Sequence, residues 1–302
     1  MGSLGKLGHY ELEQLLGRGG MAEVFRARAT EGPKAGQEFA LKRLLPELQS
    51  DPEYVTMFAG EADVIRFLDH PNIVKVHEVG ADGDTYFMVM ELIDGRDGGQ
   101  IVKRCRERKI PWPIDFAVYL TKVLLDALAY AHEAKGPTGK PLGIVHCDVS
   151  PSNLFISRTG DIKLGDFGVA RGLIDGGIGD VMGKPYYLSP ETLNGVISPS
   201  ADLWAATVTL YELLTLHRPF TGKSADEVFN AIRSGDRVPL KERRADVPPA
   251  IAAVIDRGFA PDEADRFPNA AAMAKALQPL YDERVGTPLA ISAVVRGLFP
   301  SE

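Results

Sequence analysis

The sequence predicts an α+β chain in two unequal parts, a small antiparallel sheet carrying one main helix and then a larger, mostly helical part. Three observations carry this. Short apolar runs with period-two alternation and glycine-marked turns fill the chain up to Glu91; the composition turns from strand-like to helical after the run Met90 to Gly95; and from Pro113 onward long segments of helical periodicity are separated by Gly and Pro. With 302 residues, 45% of them hydrophobic, the chain can bury a substantial core as one large domain or as two lobes. The expected division is residues 9–93, 94–280 and an extension at 281–302.

Charge and cysteine usage narrow the function classes. A net charge of −7 argues against a phosphate-backbone-binding face, so no nucleic-acid partner is expected. Cys105 and Cys147 are too few for a disulfide framework and nothing at the N-terminus reads as a signal peptide, which fits a reducing cytoplasm. The most apolar long stretch, residues 116–134, contains Lys122, Asp126, His132 and Glu133, so it reads as a buried amphipathic helix and not a membrane span. An anchor or a further domain beyond either end stays open.

Residues 1–8 are small and expected to be flexible. A strand over residues 10–16 then turns through Leu16-Gly-Arg-Gly-Gly-Met-Ala-Glu-Val-Phe25, where Gly17, Gly19 and Gly20 let backbone approach phosphate oxygens. Lys42 sits in the apolar strand 39–44, where an unpaired ammonium is costly and needs anions. Nucleotide phosphates are one source. Glu61 is another, close to the apolar face (Val55, Phe58, Ala62, Ile65, Leu68) of a helix expected over 51–68; a plain surface carboxylate is its bland alternative. Strands at 73–79 and 85–91, joined by a turn at 81–84, complete the sheet. The basic run Lys103 to Lys109 reads as the solvated face of a short helix, with a docking patch as the alternative, and receives no role. Helices are expected at 113–134, 200–216, 224–233, 249–259 and 268–280, and an apolar segment at 288–300 docks back as a helix or else connects to a further domain.

The organising stretch is Ile-Val-His-Cys-Asp-Val-Ser-Pro-Ser-Asn, residues 144–153, read as a buried strand running into a tight loop. The spacing of Asp148 and Asn153 suits phosphoryl transfer, one facing a hydroxyl and the other holding a metal. Leu-Gly-Asp-Phe-Gly, residues 164–168, supplies a second metal candidate in Asp166. In this order and spacing the motifs resemble the eukaryotic-type, bacterial Hanks-type serine/threonine protein kinase domain over roughly residues 9–280.

That resemblance implies a two-lobed protein kinase fold with a nucleotide-binding N-lobe and a catalytic, substrate-bearing C-lobe, using ATP with Mg²⁺ or Mn²⁺ on a protein substrate. It implies that Lys42 neutralises the α- and β-phosphates and pairs with Glu61, that Asp148 accepts the hydroxyl's hydrogen bond, and that Asn153 and Asp166 hold metal. Val24, Ala40, Met90 and Phe155 would line the base, backbone groups of Glu91 and Ile93 would bond its edge, and Asp97 would reach the ribose. Asp202 is expected to bond the backbone around His146, Arg266 to pair with Glu191, and Ile65, Val76, Phe167 and His146 to stack in one column.

Four positions depart from the family pattern. Ala22 replaces the third glycine of the loop, Cys147 the arginine before the catalytic Asp, Ser150 the lysine two residues past it, and Lys184 the threonine of the activation segment. Without that arginine a loop phosphate has less to grip, and no Ser, Thr or Tyr occurs from Asp166 through Lys184. Activity is therefore expected without activation-loop phosphorylation. Lys184 is expected to bring its ammonium to the place the missing lysine vacates, its alternative being a solvent-facing side chain. Cys147 reads as a small, partly buried residue, with a redox sensor as the alternative. A pseudokinase that binds nucleotide or a partner without catalysis is the rival to an active enzyme.

Overall fold

The structure is a computed structural model that describes residues 4–167 and 184–300. The chain divides at Ile93/Asp94 into two compact units.

The first unit is built on an antiparallel sheet of six strands, β1 (Gly5–Leu7), β2 (Tyr10–Arg18), β3 (Ala22–Ala29), β4 (Glu38–Leu44), β5 (Val76–Asp82) and β6 (Thr85–Glu91), in the order β1-β2-β3-β4-β6-β5. Alternation sorts the side chains onto two faces. Tyr10, Leu12, Phe25, Ala27, Phe39, Leu41, Phe87 and Val89 form one buried cluster. The register places Val24 opposite Lys42 and Ala40 opposite Met90, so these four share the other face. Helix α1 (Pro52–Ile65) is capped by Asp51, whose carboxylate accepts the Glu53 amide at 2.9 Å, with Pro52 at its first position.

Several boundaries differ from expectation. Gly5–Leu7 is an edge strand and not a flexible lead, because it pairs with Tyr10–Leu12 and buries Leu7. Helix α1 ends at Ile65, and Leu68 is buried from the following turn, which is why apolar periodicity ran past the helix. Strand β5 begins at Val76, three residues late. Ile73 and Val74 are apolar because they are buried, not because they pair, and the Lys75 amide donates to the Glu91 carboxylate at 2.7 Å.

In the second unit a small sheet of β7 (Gly95–Asp97), β8 (Leu154–Ser157) and β9 (Ile162–Leu164) sits among helices α2 (Gly98–Arg108), α3 (Ile114–Glu133), α4 (Pro199–Thr215), α5 (Ala225–Ser234), the single turn α6 (Leu240–Arg243), α7 (Pro249–Gly258), α8 (Ala270–Leu277) and α9 (Pro288–Leu298). From Asp202 to Thr215 every residue of α4 is buried, so this helix is the axis on which α3 and α7 pack. An aromatic group closes one end, Trp204 stacking on Phe220 at 5.6 Å with Phe259 edge-on to both. Helix α9 docks back. Ser292 donates to the Arg158 carbonyl at 2.7 Å, and Phe299 lies against the guanidinium groups of Arg96 and Arg104.

The segment 144–149 is not a strand. The amides of His146 and Cys147 are taken by the buried Asp202 carboxylate at 2.8 and 2.9 Å, and Cys147 has a left-handed φ of 62°, both incompatible with a ladder. Among the described residues no helix is long and apolar enough to cross a membrane.

Candidate active site

Lys42 and Glu61 meet as the sequence requires of an ammonium in an apolar strand. Glu61 is buried on the inner face of α1, and the Lys42 Nζ donates to its Oε1 at 2.7 Å. Glycine spacing upstream produces a hairpin in which Gly17 pairs with Val24 and the Gly19 amide donates to the Ala22 carbonyl at 2.8 Å. A Cβ at Gly17 or Gly19 would meet nothing closer than 3.7 Å, and neither residue has a positive φ. The fold itself places no demand for glycine there. Ala22 is buried in β3 opposite Leu44, where a methyl group is useful packing. The Glu91 amide is committed to the Lys75 carbonyl at 2.9 Å, so it is not free to bond a base edge.

In the second unit the loop after α3 is held from behind. Asp202, fully buried, accepts from two loop amides and lies 2.8 Å from His132 Nε2. The sequence reading gives His132 no role; its only signal is a polar residue on the inner face of an apolar helix. His146 bridges the two motifs: its Nδ1 accepts from the Asp148 amide at 3.2 Å, and its Nε2–H points to the Gly165 carbonyl at 3.1 Å. Complete burial holds the ring's pKa below its ordinary value, so the neutral tautomer fits both contacts. Phe167 lies on it at 4.5 Å between ring centroids, and the Gly165 amide donates to the Asn153 carbonyl at 3.0 Å.

Asn153 is buried and turns its Nδ2 to the carbonyl and carboxylate of Asp148, at 2.7 and 2.8 Å. This leaves its Oδ1 facing the Lys184 ammonium at 3.3 Å. The same ammonium lies 3.3 Å from Asp148 Oδ2 and 2.7 Å from the hydroxyl of the buried Ser150. Lys184 thus reaches the Ser150 position and does not turn to solvent. Asp166 has a left-handed φ of 49°. Gly168 and the rest of 168–183 lie outside the described residues.

Asp97 caps α2 through a capping box, its Oδ1 accepting from the Gln100 amide at 2.8 Å; burial raises its pKa, and any ribose contact must share the carboxylate with this cap. Phe155 stands opposite it across β7 and β8, half-buried. Burial, followed by the neighbouring carboxylates of Asp202 and Asp148, pushes the Cys147 thiol up out of the range of a reactive thiolate, which removes the basis for a redox role. The Tyr187 hydroxyl is buried on Glu212, and Arg266 donates to Glu191 at 2.5 Å.

Asn153 and Asp166 bring only oxygen donors, the chemistry of a hard divalent cation such as Mg²⁺ or Mn²⁺. Among the described residues no cluster of three His, Cys, Asp or Glu side chains could hold a metal unaided. A metal at this pair must complete its shell from elsewhere, as one carried on nucleotide phosphates does.

The profile of the protein kinase domain matches residues 10–278. The chain belongs to the protein kinase family. Its fold is accordingly the two-lobed kinase fold, and the kinase domain of Mycobacterium tuberculosis PknI superposes with a TM-score of 0.70 at 25% identity, over 92% of this chain and 99% of that one. This chain is 35% identical to the tyrosine-protein kinase MasK of Myxococcus xanthus over 98% of its own length, and 31% identical to the serine/threonine-protein kinase PrkC of Bacillus subtilis over 91%. It is 34% identical to the serine/threonine-protein kinase PknL of Mycobacterium tuberculosis over 91%. The chain spans 47% of MasK and 41% of PrkC.

Proposed function

We propose that this kinase transfers the γ-phosphate of ATP to a serine or threonine hydroxyl of a protein, with the catalytic charge usually carried at position 150 supplied from Lys184. The observation that carries the reading is the arrangement of Asp148, Asn153, Ser150 and Lys184, in which one ammonium touches the carboxylate, the amide oxygen and the hydroxyl at 2.7–3.3 Å. Serine or threonine is favoured over tyrosine by the names of PrkC and PknL, while MasK carries the opposite name.

Phosphoryl transfer asks for positioning and charge neutralisation and little covalent help. Asp148 accepts the hydrogen bond of the attacking hydroxyl, oriented by the Asn153 amide and by its own backbone bond to His146. Lys42, held extended by Glu61, meets the nucleotide phosphates, while Val24, Ala40, Met90, Phe155, the backbone of Glu91 and Ile93, and Asp97 receive base and ribose. Gly17, Gly19 and Gly20 serve the approach of phosphate oxygens, a reading supported by the freedom of Gly17 and Gly19 from any packing demand. Asn153 and Asp166 hold Mg²⁺, which when bound neutralises phosphate charge. Lys184 stays beside Asp148 and meets the developing charge of the transferred group.

The test is transfer of labelled γ-phosphate to the kinase itself or to a generic protein substrate, with Asp148→Asn as control and phosphoamino-acid separation of the product. Label on serine or threonine that disappears in the control supports the proposal. Thermal stabilisation by ATP with no label transferred identifies a nucleotide-binding scaffold, and label on tyrosine alone corrects the acceptor.

A further inference from the structure

The basic run of α2, which the catalytic reading leaves without a role, borders a groove of about 670 Å³ in the second unit that begins at Lys184. Five basic side chains line it, Lys103, Arg106, Lys184, Arg218 and Arg243, against one lining carboxylate, Glu212, with Glu107 4.0 Å from Lys103 and Asp148 3.3 Å from Lys184 just outside the lining, so the wall keeps a positive excess. This concentration stands out on a chain whose net charge is −7. The lining carboxylate is already engaged, being buried with the Tyr187 hydroxyl on it and the Arg218 guanidinium 3.9 Å away. Arg106 spends two N–H groups on the carbonyl of Leu216, a neutral partner that leaves its charge in place. The Arg218 guanidinium lies over the Tyr186 ring, 4.0 Å from its centroid, and Lys103 stands 77% exposed at the rim. Glu227, the nearby acid of α5, turns its carboxylate to the Lys223 amide.

We propose that this groove recognises acidic residues flanking the acceptor hydroxyl, so that the protein substrate presents a segment rich in Asp and Glu. The inference rests on the proposed kinase activity for the acceptor, but the charge recognition rests on the groove alone. Fixed guanidinium groups beside a net positive wall favour carboxylates, which bind bidentately, and repel lysine and arginine.

The experiment separates the two. Fluorescent peptides with alanine at the acceptor position and acidic, neutral or basic flanks are titrated against the full chain by anisotropy, and their serine twins are assayed for transfer. The acidic peptide should bind about ten-fold tighter than the neutral one, with the advantage shrinking as salt rises. Lys103→Glu, at the exposed rim, and Arg218→Gln should each reduce that advantage. Equal binding of all three peptides, or a preference for basic flanks, overturns the inference. So does a single-stranded oligonucleotide that binds as tightly as the acidic peptide at equal charge, which marks a general polyanion surface. Selective binding of the acidic alanine peptide with no transfer to its serine twin upholds the groove and defeats the catalytic reading instead.

Discussion

Replacing Lys184 by methionine removes the ammonium beside the Asp148 carboxylate while keeping most of the side chain's length and apolar stem. In the structure its Nζ lies 3.3 Å from Asp148 Oδ2, and the two side chains are 33% and 32% exposed. Two unit charges at about 4 Å interact by about 4 kcal/mol at an effective dielectric of about 20, and one-third exposure to solvent cuts that toward about 1–3 kcal/mol. If this charge acts on the transferring group, the loss falls on the transition state, and each 1.36 kcal/mol or so is about ten-fold in rate. Lys184→Met should therefore lower kcat by about ten- to one-hundred-fold. The KM for ATP and the melting temperature should change little, because Asp148 keeps both contacts from Asn153. The decisive arm is the swap: Ser150→Lys combined with Lys184→Thr returns the charge by the other route and should recover most of the rate. Steady-state assays of the two single variants and the double variant read all of this. Full turnover in Lys184→Met, or a double variant no better than the single, would refute the relocated charge.

Three further outcomes are expected. Phosphatase treatment should leave the transfer rate within about two-fold, since no acceptor lies between Asp166 and Lys184 and the Tyr187 hydroxyl is buried on Glu212; a ten-fold drop restored by phosphorylation of Tyr186 or Tyr187 counts against it. Glu191 has its pKa held below the usual value: burial raises it, but the hydrogen bond from Arg266 and further contacts outweigh burial. The depressed carboxylate contributes stability that is complete above its unfolded value of 4.5 and is lost as pH falls through the lower folded value, so Glu191→Gln should flatten the acid side of the stability curve; an unchanged acid limb refutes the pairing. In α7, a Cβ at Gly258 would lie 2.2 Å from the buried Thr207 hydroxyl oxygen on α4, so Gly258→Ala should cost about 1–3 kcal/mol in denaturant unfolding, and a wild-type midpoint would show that the helices part without strain.

The fold was legible where physics acts over short sequence distances. Period-two and helical patterns located the sheet of the first unit and the helices of the second, and the motif spacing picked out residues that meet, Lys42 with Glu61 and Asp148 with Asn153 and Lys184. What escaped was set by partners far along the chain. The segment around His146 is apolar like a strand, but a carboxylate 56 residues later claims its amides. Ile73 and Val74 are apolar for burial and not for pairing. The small sheet of Gly95–Asp97, Leu154–Ser157 and Ile162–Leu164 went unseen because three- and four-residue strands carry too little alternation to register. The groove was equally hidden: Lys103 and Arg106 read as one face of a helix, and nothing local ties them to Arg218.

Asp202 has a consequence for how this site can change over generations. A carboxylate with no solvent exposure, relieved by two backbone amides and His132, fixes the shape of the loop through main-chain atoms that every residue possesses. Letting the loop go would strand that charge in the interior at a cost of several kcal/mol. The side chain at 150 is then decoupled from the contour it sits on, and a lineage can exchange it without first losing the path of the chain. Inheritance here attaches to the scaffold behind the loop. At position 150 the letter can change while the contour stays, and the ammonium beside the Ser150 hydroxyl comes from Lys184, a different stretch of chain.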